Sequence, residues 1–174
     1  MRLVMLATAV IFSAAAVATT PPSWTLEPAS VFGIAPGRPF PSPREIADCP
    51  AFAPFRREPQ DDGPCVDPRD GFSAESIVVK NMPLTHLQVE ARVSLHDGIV
   101  RAITMQFERE HFAAVKSELI ERYGPPQRHV SGAHEHLTWI GSRISLQLRA
   151  GDGAADQAVL EFSDSAPPPA EPGR

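Results

Sequence analysis

Six histidines and two cysteines are the residues of this 174-residue chain best suited to chemistry. His134-x-His136 falls where a strand is expected, and residues two apart on a strand point to the same side. Two imidazoles so placed are a workable geometry for zinc or copper, and His129 lies a few residues upstream. The pair stands on the side opposite Leu137 and Trp139, which is expected to face solvent. No Asp, Cys or Met partner is fixed nearby by spacing, and Glu135 points the other way. His134 and His136 are therefore the candidate metal ligands, with an ordinary polar strand face as the competing account. No other cofactor is expected. His86, His96 and His111 are scattered and read as surface groups.

Cys49 and Cys65 are the only thiols. A redox pair favours Cys-x-x-Cys, and a zinc site needs more ligands nearby, so a structural disulfide is expected. The residues between them carry four prolines and the acidic pair Asp61-Asp62 but little periodicity, so a covalent clip substitutes for core. Closing a loop of this size contributes about 3 kcal/mol. Other catalytic signatures are missing. There is no Gly-x-Ser-x-Gly, no His-Glu-x-x-His and no P-loop. Gly151-Asp152-Gly153 and Asp67-Pro68-Arg69-Asp70-Gly71 read as turns, without the ligand spacing of an EF-hand. No catalytic residue is assigned.

The elements that must hold these residues are unevenly distributed. Residues 1–18 have one charge, Arg2, then an uncharged apolar run ending in Ala16-Val17-Ala18. This is a signal peptide, with cleavage expected after Ala18. The run is short for a transmembrane helix, which needs about 20 residues. The mature chain then carries 15 basic against 21 acidic groups, a poor balance for binding nucleic acid or anionic membrane. Residues 19–71 form a proline-rich arm; 12 of the 19 prolines lie between Pro21 and Pro68. Val31-Phe32-Gly33-Ile34 reads as a short strand or docking segment, and Ser42-Pro43 as the start of one or two helical turns. Trp24, Phe32, Ile34, Phe40, Phe52 and Phe55 supply apolar groups that can dock on a core.

Residues 72–163 carry regular patterns. Ser76 to Lys80 reads as a strand, broken by Asn81-Met82-Pro83. Leu84 to Leu95 alternates apolar and polar residues with period two, and Ile99 to Phe107 follows the turn His96-Asp97-Gly98. A three-residue loop with Gly98 left-handed pairs Leu95 with Ile99, Ala91 with Ile103, Val89 with Met105 and Leu87 with Phe107. Arg101 is the exception on that face and is expected to snorkel at the sheet margin. Phe112, Val115, Leu119 and Tyr123 mark a helix over 109–123, stopped by Gly124-Pro125-Pro126. Strands follow at Glu135 to Ile140, Arg143 to Arg149 and Gln157 to Ser163. The expected fold is α+β, in the order β-β-β-α-β-β-β: a mainly antiparallel sheet with one main helix on one face. Residues 164–174 lack a hydrophobic pattern and are expected to be a disordered tail.

Two stretches carry a resemblance. Val31-Phe32-Gly33-Ile34-Ala35-Pro36-Gly37-Arg38-Pro39-Phe40 with Cys49-Pro50 resembles the entry segment of small exported proteobacterial α+β proteins. His96-Asp97-Gly98 with Ile99-x-x-x-Ile103, then Leu119-x-x-Arg122-Tyr123-Gly124-x-Pro126, resembles their second half. These motifs are structural and carry no catalytic residues over. A looser likeness is to periplasmic modules of the outer-membrane-assembly and β-lactamase-inhibitor type, which act by protein contact; this chain lacks the lipid-anchor Cys of the lipoprotein examples. The reading is a periplasmic or secreted non-enzymatic binding or accessory protein, with an unknown protein partner, no nucleic acid and no membrane span after signal cleavage. The alternatives are metal binding through His134 and His136, or a small enzyme with a dispersed site.

Overall fold

Alternating apolar residues need one covered face, and a single helix covers it here. The computed structural model describes residues 24, 27–42, 44–49, 63–66, 73, 75–130, 135–150 and 156–165. They build eight strands and one α-helix. The strands are β1 (Cys65–Val66), β2 (Ser76–Leu84), β3 (Leu87–His96), β4 (Ile99–Glu108), β5 (Arg128–Val130), β6 (His136–Ile140), β7 (Ile144–Ala150) and β8 (Gln157–Asp164). The helix α1 (Phe112–Tyr123) follows a 3-10 turn, Arg109–His111.

All strands belong to one antiparallel sheet ordered β1-β2-β3-β4-β8-β7-β6-β5. The chain builds from one edge to the centre, crosses by way of α1 to the other edge, and returns to the centre. There β4 and β8 pair from Ala102–Ser163 to Glu108–Gln157. The expected strand–helix order holds, and two short strands, β1 and β5, are added at the edges. Their two and three residues are too few to show a period, which is why pattern alone misses them. The signal segment, Phe52, Phe55, His134, the Asp67–Gly71 and Gly151–Gly153 turns, and the tail beyond Ser165 lie outside the described residues. Asp164, expected to begin the tail, is the last residue of β8.

Two corrections concern register. Asn81-Met82-Pro83 does not break the first strand. A bulge between Val79 and Met82, with Asn81 at φ 57°, absorbs one extra residue, so Val79, Met82 and Leu84 all reach the core. Pro83 then pairs with Gln88, one step from the closing pair Leu84–Leu87. At that position the missing N–H would point away from β3, so proline loses no ladder bond.

The β3–β4 loop also differs from expectation. It is a two-residue turn, Asp97-Gly98, with both φ positive (52° and 75°), closing on His96–Ile99 and Leu95–Val100. A bulge after Ser94–Leu95 takes up Arg101, and the ladder resumes as Val93–Ile103 and Ala91–Met105. The loop is one residue shorter than expected and the bulge restores the phase. The physical demand, large apolar groups on one face, is met by a different device. Arg101, expected on that face opposite Val93, falls in the bulge instead, and its Nη1 lies 3.3 Å from Asp164 Oδ2.

The covered face is a layer of cross-strand pairs: Ile103–Phe162, Met105–Leu160, Leu148–Leu160, Leu146–Phe162 and Trp139–Leu146. Phe112, Val115, Leu119 and Tyr123 of α1 are buried in the same cluster, as their spacing predicts. Gly124 at φ 78° caps the helix, its N–H donating to Ile120 O. Trp139 Nε1 donates to Gly124 O at 2.8 Å, tying the helix end to β6. The other face carries Arg92, Thr104, Glu161, Gln147, Thr138 and Arg128 in one row. It has no helix among the described residues.

The arm is part of this core. Trp24, Val31, Ile34 and Ile46 are buried in the cluster, and Phe40 packs at its margin. Gly37 N–H donates to Val100 O and Val100 N–H to Arg38 O, so the arm hydrogen-bonds to the start of β4. Ser42 opens a single hydrogen-bonded turn, the lower of the one or two turns expected. Cys49 and Cys65 form the expected disulfide, Cα–Cα 4.8 Å, beside the backbone bonds Cys49 N to Val66 O and Val66 N to Ala47 O. The bond thereby fixes the end of the arm to edge strand β1. Replacing both cysteines by Ser should lower the unfolding free energy by about 2–4 kcal/mol, read by denaturant titration of the full chain. An unchanged midpoint would show that the arm holds without the clip.

Candidate functional site

An apolar groove opens where the arm, the β2–β3 hairpin end and α1 meet. Its floor is Met105, Leu160 and Phe162 of the central strands. One wall is Val115, Leu119 and Tyr123 of α1; the other is Pro83, Leu84 and Thr85. The arm closes the third side with Ser30, Val31 and Phe32. The cavity measures about 200 Å³.

Local chemistry explains each wall. The β2 bulge turns Leu84 inward, and the Thr85-His86 turn, with Thr85 at φ 55°, ends the strand there. In the arm, Val31 and Ile34 exchange backbone bonds of 2.8 and 3.0 Å around Phe32-Gly33. Both loop residues have positive φ, 51° and 85°. Glycine accepts this freely, while phenylalanine does so at a cost in strain. The turn buries Val31 and Ile34 and leaves Phe32 42% exposed at the groove. On the rim, Arg122 Nη2 donates to Glu118 Oε1 at 2.8 Å, one helical turn back.

A partly exposed polar contact holds the arm in position. Glu27 sets its carboxylate into the β6–β7 turn. Oε2 accepts from the N–H and hydroxyl of Ser142 (3.0 and 2.7 Å), and Oε1 from the N–H groups of Arg143 and Ile144 (2.6 and 2.7 Å). Burial pushes the carboxyl's pKa up, but the Ser142 hydroxyl and the three backbone donors outweigh it and hold it below its ordinary value. Gly141 leaves room for this contact: a Cβ there would stand 2.6 Å from Glu27 Cδ and 2.7 Å from Ile144 O. Nearby, Trp24 stacks on Tyr123, centroids 5.4 Å apart and planes 7° from parallel. Burial raises the pKa of Tyr123, so its phenol stays neutral.

The histidines divide differently from the expectation. His136 lies on the open face of β6, as predicted, with Nε2 3.3 Å from Thr138 Oγ1 and Arg149 directly across in β7. Its partner His134 lies outside the described residues. His129 Nε2 is 2.8 Å from Glu135 Oε1, which also accepts from Lys116 Nζ at 2.6 Å. The Lys116 hydrogen bond, reinforced by His129 against some burial, holds the Glu135 carboxyl low. His129 therefore serves a link between α1 and the approach to β6. His86 and His111, read as scattered, meet: their ring centroids are 5.6 Å apart. Nothing in their 25-residue separation announces this. The groove and Glu27 were also not legible as sites, although the isolated Phe32 before a glycine marks the turn that supplies one wall.

No protein-family model, curated protein or solved structure matches the chain. The described residues therefore define a class in structural terms only: an eight-stranded antiparallel sheet with one helix and a disulfide-clipped arm.

Glu27→Gln should weaken arm docking by about 1–2 kcal/mol, since hydrogen bonds to a charged acceptor exceed those to a neutral one. The sign with pH follows from the lowered folded-state value. The contribution is complete above the ordinary 4.5 and is lost as pH falls through the lower folded value. Tryptophan fluorescence of Trp24 followed in acid should report release of the arm in the parent. Glu27→Gln should lose this acid transition, with the arm docked more weakly at neutral pH.

Proposed function

We propose that this chain is an exported, non-enzymatic accessory protein that acts by protein contact, and that the groove beside Phe32 receives one apolar side chain of a partner polypeptide. The observation that carries the reading is the groove itself: an apolar floor, an exposed aromatic at its mouth and an ion-paired rim. Contact hot spots have this anatomy, with an apolar anchor seated in a pocket ringed by polar groups.

Size favours a side chain over a larger ligand. Pockets for drug-sized molecules run to about 300–1,000 Å³, and this one is about 200 Å³. One further fact supports an exported setting: the Cys49–Cys65 disulfide fits an oxidising compartment. The resemblance to small exported proteobacterial proteins points the same way.

The test places a benzophenone amino acid at position 32, and separately at Gln106 on the open face, in cells exporting the chain. Illumination should give a discrete polypeptide adduct from position 32 and none from 106. Thr85→Trp, which fills the groove mouth, should abolish it. Absence of an adduct at 32, the same adduct from both positions, or an adduct with a small molecule alone would overturn the contact reading.

A further inference from the structure

A second site lies at the end of the sheet where β4 enters the 3-10 turn. Glu108, Glu110 and His111 each present one donor atom, and these atoms lie within 4.8 Å of one another. A separate element adds a second imidazole. His86, in the β2–β3 turn, places its ring 5.6 Å from that of His111, at 78°. We propose that His86, His111 and Glu110, with Glu108 beside them, bind a zinc-type divalent cation.

Coordination geometry supports this set. Zinc holds nitrogen and oxygen donors at about 2.0–2.2 Å, which places tetrahedral donors about 3.4 Å apart. Two imidazoles on one ion then have ring centres about 5 Å apart and steeply inclined planes are allowed. The observed centroid separation of 5.6 Å is close to that spacing, and the His86 ring, whose donor atoms are not in the 4.8 Å group, turns toward the other three to join them. His86 Nδ1 lies 3.3 Å from Thr85 Oγ1, and in the tautomer where Nδ1 donates to that hydroxyl Nε2 is left for an ion. Metal-binding histidines are commonly oriented by a partner on the second ring nitrogen. His111 Nε2 stands 3.4 Å from Glu110 Oε1, so imidazole and carboxylate already face one another.

The fold supplies the convergence. Arg109 N–H donates to Asp156 O, holding the 3-10 turn against the start of β8. Glu108, Arg109, Glu110 and Asp156 line one open hollow there. Three carboxylates outnumber the single guanidinium. Imidazole donors select zinc, copper or nickel over calcium or magnesium, which prefer oxygen alone. The site is distinct from His136, which lies on the other half of the sheet.

The test is calorimetric titration of the full purified chain with zinc chloride, with excess calcium present. One saturable site is expected. His86→Ala and His111→Ala should each weaken it by about ten-fold or more, Glu110→Gln by a comparable factor, and His134→Ala/His136→Ala should leave it unchanged. Circular dichroism checks that each variant is folded. Should a variant fail to fold, the imidazole resonances of His86 and His111 in the parent chain are followed on adding zinc, and both should shift. No saturable binding, suppression by calcium, insensitivity to His86→Ala and His111→Ala, or loss in the His134/His136 variant would overturn the proposal.

Discussion

Seven residue pairs, from Ala102 with Ser163 to Glu108 with Gln157, join β4 to β8 and turn two hairpin-built halves into one sheet. Both strands are central, and their inward residues Ile103, Met105, Leu160 and Phe162 form the surface on which α1 lies. Covering that surface requires every neighbouring strand to send its apolar residues to the same side. A one-residue slip would send them to the other. The bulges at Asn81 and Arg101 satisfy this requirement. Each spends one residue to bring the next apolar group back into phase, and each tolerates a polar residue where the strand bends.

The remaining core comes from the arm, and its tethers differ in kind. The disulfide acts on the unfolded chain by shortening its accessible loop, whatever the native contacts are. The Glu27 carboxylate acts in the folded state, satisfying three backbone donors of the β6–β7 turn and a hydroxyl. Between these tethers, the Val31–Ile34 turn can hold Phe32 in a left-handed conformation because its flanking residues are buried. The groove is thus a consequence of arm docking rather than a feature of the sheet alone.

The same economy explains the second site. The Thr85-His86 turn exists because β2 must end after Leu84 faces the core. The Arg109–His111 turn exists because the chain must leave β4 to lay α1 across the sheet. Each turn carries a histidine, and the sheet's geometry brings the two turns together. Side chains on connecting turns are free of packing duties, which is where binding groups accumulate on rigid scaffolds.

Much of this was legible locally. The helix face Phe112, Val115, Leu119 and Tyr123 follows from a 3.6-residue period, its end from Gly124 and two prolines, and six strands from alternation. Two cysteines in the whole chain leave only one intramolecular pairing. These features rest on neighbours within a turn or a strand, so the sequence by itself determines them. Register, the edge strands β1 and β5, the seat of Glu27 more than a hundred residues away, and the meeting of His86 with His111 were decided by tertiary structure. A bulge or a cross-chain contact depends on which face is covered and which distant backbone donors remain to be satisfied. No local period encodes either quantity.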